Sequence, residues 1–199
     1  MERIEFCGGI GAGKSTCASA LTERWTLPLV AERFDEIPYW NLYYEDPACY
    51  ALEKDLSFLI SHAESIRRAR APLLVCDFSM SQTVAYSAIT GDIGDTRAVA
   101  AVYERMTSRL GVPRLVFRLR CDTEVQLQRI RDRGRAPEAG ITADYLKRLD
   151  HAIDERIAGL PPGTQVIELD TTGRIAPDVI DAPAVAAAMD VMLGSLPRS

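Results

Sequence analysis

The chain has 199 residues, 47% of them hydrophobic and 26% charged, and its formal net charge is −5. This length suits a single domain with a full hydrophobic core, so we expect one domain over residues 1–199. The acidic balance argues against nucleic acid as a partner, because phosphate backbones attract basic surfaces.

Short apolar runs alternate along the chain with helical patterns. The runs predict five buried strands, at residues 4–6, 28–30, 73–76, 115–119 and 165–169. Helices are predicted between and after them, at residues 14–25, 48–70, 96–110, 122–132, 143–157 and 182–194. This alternation predicts an α/β fold in which helices flank a parallel five-stranded sheet.

Cysteine usage and hydropathy bear on where the protein works. The five cysteines are scattered and form no Cys-x-x-Cys pair, which favours a reducing compartment over disulfides or zinc. No apolar run approaches the length of a membrane span, and Glu5 interrupts the short apolar stretch near the N-terminus. We therefore expect a cytoplasmic protein with neither a secretory leader nor a membrane partner.

The segment "GGIGAGKST" at residues 8–16 carries the most specific local motif. It fits the pattern Gly-x-x-x-x-Gly-Lys-[Ser/Thr] of a phosphate-binding loop, and it stands between a predicted strand and a predicted helix. Glycines let backbone N–H groups turn toward phosphate oxygens, the lysine reaches the β- and γ-phosphates, and the serine hydroxyl binds Mg²⁺. The predicted ATP-binding residues in this loop are Gly8, Gly11, Gly13, Lys14, Ser15 and Thr16.

Four arginines crowd the segment "RIRDRGRAPEAGI", residues 129–141. One helix is predicted to end here and the next begins near residue 142, which leaves a short arginine-rich lid at about 133–141. Guanidinium groups on a lid stabilise the charge of a transferred phosphoryl group, and closure of the lid excludes water. We expect Arg129, Arg133 and Arg135 to serve the phosphates, and Arg131 to take no part.

Three stretches together resemble the deoxynucleoside kinase family: "GGIGAGKST", "YYEDPACYALEKD" and "RIRDRGRAPEAGITADYLKRL". The resemblance runs from about residue 4 to residue 157 in the family's order, and the arginine-rich stretch is its most specific part. It implies a P-loop kinase fold and a homodimeric enzyme. The implied reaction transfers the γ-phosphate of ATP, with Mg²⁺, to the 5′-hydroxyl of a nucleoside-like small molecule.

The resemblance also implies roles for individual residues. Glu32, after the second predicted strand, matches the general base that takes the proton of the 5′-hydroxyl, and a carboxylate suits that role. Asp77, at the end of the third strand, matches an acidic residue near Mg²⁺.

Trp40 falls in the region that lines the acceptor pocket, with a core or dimer contact as the alternative. Tyr44 and Glu138 match the pair that binds the sugar 3′-hydroxyl, and Arg129, Arg133 and Arg135 match the lid arginines that hold the donor.

The acceptor side departs from the family pattern at four positions. Phe78 stands where an arginine is expected, and Asp55 stands where the family has the glutamine that reads the base; His62 and Thr83 replace a frequent arginine and a frequent acidic residue. Because an ionised aspartate only accepts hydrogen bonds, we expect Asp55 to favour an acceptor with N–H donors. The alternative is a structural contact of Asp55 with His62 or an arginine. For Phe78, the separate alternative is that it only packs, while Arg33 or another arginine supplies the missing charge.

Other functions are compatible with the phosphate loop. A nucleoside monophosphate kinase needs arginines aimed at the acceptor phosphate, for which Arg33, Arg67 and Arg70 are candidates. A non-catalytic nucleotide-binding protein would explain the missing arginine at position 78. A kinase acting on a modified base in DNA needs a basic groove, which the sequence does not show. Glu32 favours the nucleoside kinase, because a phosphate acceptor needs no deprotonation by a carboxylate.

Overall fold

Five parallel strands form the central sheet of the computed structural model, which describes residues 1–196. The strands are β1 (Glu2–Cys7), β2 (Leu29–Val30), β3 (Leu73–Cys76), β4 (Leu115–Arg120) and β5 (Gln165–Asp170). Their order across the sheet is β2-β3-β1-β4-β5, and each neighbouring pair is parallel. The predicted five-stranded parallel sheet is confirmed, with each strand close to its predicted position.

Helices connect and flank the strands. They are α1 (Lys14–Trp25), α2 (Trp40–Glu45), α3 (Pro47–Arg68), α4 (Met80–Thr90), α5 (Ile93–Leu110), α6 (Thr123–Arg133), α7 (Ala143–Ala158), α8 (Ala176–Ile180) and α9 (Pro183–Gly194). Short 3₁₀ turns at Phe34–Glu36 and Ala136–Glu138 precede α2 and α7. All six predicted helices are present, whereas α2, α4 and α8 were not predicted. Residues 80–85 of α4 are all buried, so this helix lacks the polar stripe that reveals an amphipathic period.

Different helices cover the two faces of the sheet, because side chains alternate along a strand. Ile4 and Phe6 of β1 belong to a core formed with α1, α8 and α9. Leu74 and Cys76 of β3 belong to a core formed with α3, α4 and α5. The carboxyl ends of the strands remain free of this packing, and ligands of open parallel sheets bind beyond those ends.

Buried charges fix the helix that follows the arginine-rich segment. The Arg118 side chain of β4 is fully buried and contacts two carboxylates of α7, those of Asp150 and Asp154, the latter at 2.9 Å. A buried guanidinium needs a carboxylate partner, and two half-exposed carboxylates of α7 share that role for Arg118. The pair therefore anchors α7 to the sheet and fixes where the preceding segment ends.

Candidate active site

A cavity of about 490 Å³ lies beyond the carboxyl ends of β1 to β3. Every site residue predicted from the sequence lines it except Gly8 and Asp77. Those two contact its walls: the Gly8 N–H donates to Oε1 of Gln82 at 2.9 Å, and Asp77 Oδ1 accepts from the Glu32 N–H at 2.6 Å. The fold thus gathers the predicted residues at one site.

The phosphate loop follows β1 and ends at the N-terminus of α1. Gly11 and Gly13 have φ values of 77° and 92°, in the left-handed region where a Cβ is strained. A Cβ on Gly11 would also lie 2.8 Å from the backbone oxygen of Gln126. The free N–H groups at the start of α1, with the helix dipole, favour an anion at this loop.

Lys14 curls back over the loop. Its Nζ donates to the carbonyl oxygens of Gly8 at 2.9 Å and Gly9 at 3.2 Å. Burial lowers the pKa of Lys14, while the charges of Glu32 and Asp77 oppose that change. The ammonium group therefore lies between the loop and two carboxylates, where it can bind phosphate oxygens.

Glu32 stands two residues after β2, and both its backbone and its side chain are held. Its side-chain Oε1 lies 2.9 Å from Nε2 of His62. Burial alone raises the pKa of Glu32, but the hydrogen bond and charge of His62, followed by the charges of Lys14 and Arg135, outweigh it and lower the pKa. Glu32 is consequently ionised at neutral pH, as a general base must be.

Phe78 follows Asp77 and is buried against an imidazole. Its ring stacks on His62 with centroids 3.8 Å apart and planes 8° from parallel. Of the expectation that Arg33 or another arginine supplies the missing charge, the Arg33 part is wrong, because Arg33 binds Glu36 at 2.9 Å on an exposed surface. The arginine whose charge lowers the pKa of Glu32 is Arg135. The side chain that contacts the Glu32 carboxylate on this side is His62.

Asp55 lies two turns before His62 on α3, but the two do not pair. Its Oδ1 lies 2.8 Å from Nζ of the preceding residue, Lys54, and both side chains are almost fully buried. Asp55 thus makes a structural contact, as the alternative expected, but its partner is a lysine and neither His62 nor an arginine. Burial raises the pKa of Asp55, and the Lys54 charge opposes that rise. Lys54 was not predicted as a site residue, because the sequence does not distinguish a buried lysine on a helix from an exposed one.

Aromatic side chains form another wall of the cavity. Trp40 lines the cavity and meets Tyr44 and Phe58 edge to face, with ring centroids 5.0 Å and 5.8 Å away. The prediction that Trp40 lines the acceptor pocket therefore agrees with its position in the structure. Burial raises the pKa of Tyr44, so its phenol stays protonated and able to donate a hydrogen bond.

The arginine-rich segment binds its own glutamate and reaches across the cavity. Arg133 Nη2 lies 2.5 Å from Glu138 Oε2, and Arg135 Nη1 lies 3.3 Å from Glu138 Oε1. The Arg135 guanidinium also lies over the Phe34 ring, 3.6 Å from its centroid. Arg131 is exposed and donates to Gln128 at 2.8 Å, as expected for a residue outside the site.

Arg129 holds the phosphate loop from the side. It donates to the carbonyl oxygens of Gly11 at 3.2 Å and Thr171 at 2.7 Å. This bridge joins α6, the loop and the residue after β5. The sequence indicated a phosphate contact for Arg129, whereas the structure shows it bound to the backbone that shapes the loop.

Comparison with known proteins agrees with this geometry. Residues 4–178 match the family model described as deoxynucleoside kinase. The chain is 30% identical over 196 residues to a thymidine kinase of Ictalurid herpesvirus 1 (strain Auburn), which covers 90% of this chain and 84% of the viral protein. It is 24% identical over 152 residues to a deoxyguanosine kinase of Bacillus subtilis (strain 168), covering 73% of each.

A solved structure shows the same fold. The deoxyadenosine kinase from M. mycoides with bound dATP superposes with a TM-score of 0.78 at 19% identity, covering 96% of this chain and 99% of that one. The phosphate loop and the parallel sheet flanked by helices are both consistent with the family match. The chain therefore belongs to the deoxynucleoside kinase family, whose members transfer a phosphoryl group to a hydroxyl group of a deoxynucleoside.

Proposed function

We propose that the protein transfers the γ-phosphate of ATP to the 5′-hydroxyl of a deoxynucleoside. The observation that carries the proposal is the Glu32 side chain, whose Oε1 lies 2.9 Å from His62 Nε2 in the same cavity as the phosphate loop. The acceptor hydroxyl gives its proton to Glu32 while its oxygen bonds to the γ-phosphorus. The bond from that phosphorus to the bridging oxygen of the β-phosphate breaks, and ADP leaves.

Other residues of the cavity have supporting roles. The loop from Gly8 to Thr16 and the Lys14 ammonium hold the β- and γ-phosphates. Arg133 and Arg135 stabilise the charge of the transferred group from the lid, and closure of the lid excludes water. Tyr44 and Glu138 bind the sugar 3′-hydroxyl; Glu138 raises the pKa of Tyr44 after burial, which supports their proximity.

Magnesium fits the donor set at this site. Ser15 and Asp77 offer the hydroxyl and carboxylate oxygens that Mg²⁺ prefers. Burial raises the pKa of Asp77, and the Ser15 hydroxyl and the Glu32 amide oppose that rise, which supports their closeness. Within residues 1–196, no group of three His, Cys, Asp or Glu could hold a metal, so phosphates and waters would complete the shell. The bound ion would neutralise charge on the phosphates.

The pocket for the acceptor base is altered in this chain, since Asp55 and Phe78 replace the residues that the family pattern predicts. A nucleoside monophosphate kinase is less well supported. Its candidate arginines Arg33, Arg67 and Arg70 are exposed and do not line the cavity.

We further propose that the enzyme is a cytoplasmic homodimer. The family resemblance supports the dimer, and Ile60 and Ile93 are exposed apolar side chains available for a contact, at 57% and 69% exposure. The five free cysteines support a reducing compartment. Over residues 1–196, none of the helices combines the length and apolar character needed to cross a membrane.

Replacement of the base tests the reaction. Glu32→Gln should lower kcat about 10²- to 10⁴-fold with each deoxynucleoside that the native enzyme accepts, measured as ADP release with Mg²⁺ and ATP. Binding of ATP should be retained. Asp35→Asn, in the exposed turn three residues later, is the matched control and should leave kcat unchanged. Full activity of Glu32→Gln, or preference for a deoxynucleoside monophosphate as acceptor, would contradict the proposal.

A further inference from the structure

The first N–H of the phosphate loop is bound by a glutamine of another helix. β1 pairs with β3 as far as Glu5 and with β4 as far as Cys7, so the backbone of Gly8 lies beyond both neighbouring strands. Gly8 is buried, and a buried N–H needs an acceptor. Oε1 of Gln82, in the first turn of α4, accepts it at 2.9 Å. Gln82 thus takes the place of a strand partner at the start of the loop.

Gly8 also joins Gln82 to the lysine of the loop. The carbonyl oxygen of Gly8 accepts from Lys14 Nζ at 2.9 Å, while the N–H of Gly8 donates to Gln82. These two groups flank one Cα, so a change in the backbone angles of Gly8 that breaks one contact displaces the other. The position of the Lys14 ammonium therefore depends on the contact with Gln82.

The Gln82 amide is itself held in place. Gln82 is 6% exposed and lines the same cavity as Lys14 and Glu32. Burial raises the pKa of Tyr86, one turn further along α4, and a hydrogen bond from Gln82 opposes that rise, which supports a second contact of the amide. An amide both accepts and donates, so one side chain can serve Gly8 and Tyr86 together.

We propose that Gln82 is a positioning residue for phosphoryl transfer, which acts through Gly8 on the Lys14 ammonium. The inference rests on the proposed kinase function, in which Lys14 holds the β- and γ-phosphates. Gln82 itself touches neither phosphate. Its oxygen fixes the backbone of Gly8, and the Gly8 carbonyl oxygen keeps the ammonium over the loop.

Replacement of the amide tests this role by binding, without turnover. Gln82→Met has a similar length but offers no oxygen to the Gly8 N–H. Calorimetric titration should show that ATP with Mg²⁺ binds about tenfold more weakly than to the native protein, while each of the four DNA deoxynucleosides binds with native affinity. Gln128→Met, at an exposed glutamine of α6, is the matched control and should change neither affinity. Native ATP affinity in Gln82→Met, or a loss confined to the deoxynucleosides, would overturn the proposal.

A double-mutant cycle determines whether Gln82 acts through Lys14. Lys14→Met removes the group that Gln82 positions, so adding Gln82→Met to it should weaken ATP binding by less than about twofold more. A role in stability alone would weaken ATP binding by the same factor with or without Lys14, and that result would contradict positioning.

A shorter amide covers the case in which Gln82→Met does not fold. Gln82→Asn keeps a polar side chain but is one methylene too short for the Gly8 N–H, so ATP should bind as weakly as to Gln82→Met. Thermal unfolding curves identify the folded variants. Native ATP affinity in a folded Gln82→Asn would also overturn the proposal.

Binding separates this inference from the reaction on which it rests. Failure to phosphorylate any deoxynucleoside would contradict the kinase proposal, whereas equal losses in the two arms of the cycle would contradict positioning by Gln82. With turnover, Gln82→Met should lower kcat about tenfold and raise the KM for ATP, while the KM for the deoxynucleoside stays native. A raised KM for the deoxynucleoside with a native KM for ATP would instead place Gln82 in the acceptor site and overturn the proposal.

Discussion

The imidazole of His62 stacks on Phe78, with planes 8° apart, while its Nε2 lies 2.9 Å from Oε1 of Glu32. Phe78 stands where the resemblance to the family leads us to expect an arginine. Phe78 supplies a flat surface that stacks on the imidazole ring, and His62 of α3 supplies an N–H for the Glu32 carboxylate.

Removing this contact should change the pH dependence of the reaction. His62→Phe removes the hydrogen bond and the charge of His62, which lower the pKa of Glu32. Burial still raises that pKa, so the pKa of Glu32 should be higher in the variant. The other charged groups near Glu32, which are Lys14, Arg135 and Asp77, are unchanged. A base works only when ionised, so activity falls as pH drops through its pKa. The acid limb of kcat/KM, which lies below pH 4.5 in the native enzyme because the pKa of Glu32 is lowered, should move to higher pH in the variant.

Two further variants separate positioning from packing. His62→Gln retains an N–H donor and should preserve the native limb better than His62→Phe. Adding Phe78→Arg to His62→Phe should restore a cation beside Glu32 and return the limb toward acid pH. An unchanged pH profile in His62→Phe would exclude His62 as the residue that positions Glu32.

Gly11→Ala should damage the phosphate loop. The left-handed φ of 77° costs a non-glycine residue about 1–2 kcal/mol, and the Cβ would lie 2.8 Å from a backbone oxygen that cannot move freely. We expect a lower unfolding temperature and weaker binding of Mg²⁺ and ATP. Gly194→Ala, at the end of α9, is the control, since its Cβ would meet nothing within 4 Å. Equal ATP affinity in the two variants would count against this account of the loop.

Local signals predicted much of the fold and part of the site. The buried strands and the motif from Gly8 to Thr16 are recognised from residues that are adjacent in the sequence. Their positions were therefore predicted correctly. Contacts between distant residues were missed: Glu32 and His62 are thirty positions apart, and only folding brings α3 against the end of β2. Lys54 shows the same limit, because the sequence does not reveal that this lysine is buried against Asp55.

Arg129 and Arg131 provide a matched pair on α6. Arg129→Met should release the bridge from Gly11 to Thr171, lowering the unfolding temperature and raising the KM for ATP about tenfold. Arg131→Met removes an exposed arginine whose contact is Gln128, so both quantities should stay native. A normal unfolding temperature with a raised KM in Arg129→Met would instead indicate direct contact with the phosphates.

On the proposal that residues 133–141 act as a lid, the contact of Arg135 with Phe34 should control how well that lid excludes water. A guanidinium 3.6 Å from a ring centroid contributes about 0.5–2 kcal/mol, so Phe34→Leu should favour an open lid. An open lid admits water to the γ-phosphate, and ADP release without any acceptor should rise several-fold while kcat with acceptor falls. Phe34→Tyr keeps the aromatic face and should behave like the native enzyme. If Leu and Tyr at this position gave the same rate of ATP hydrolysis without acceptor, the ring would not hold the lid, and Arg133 with Glu138 would have to close it instead.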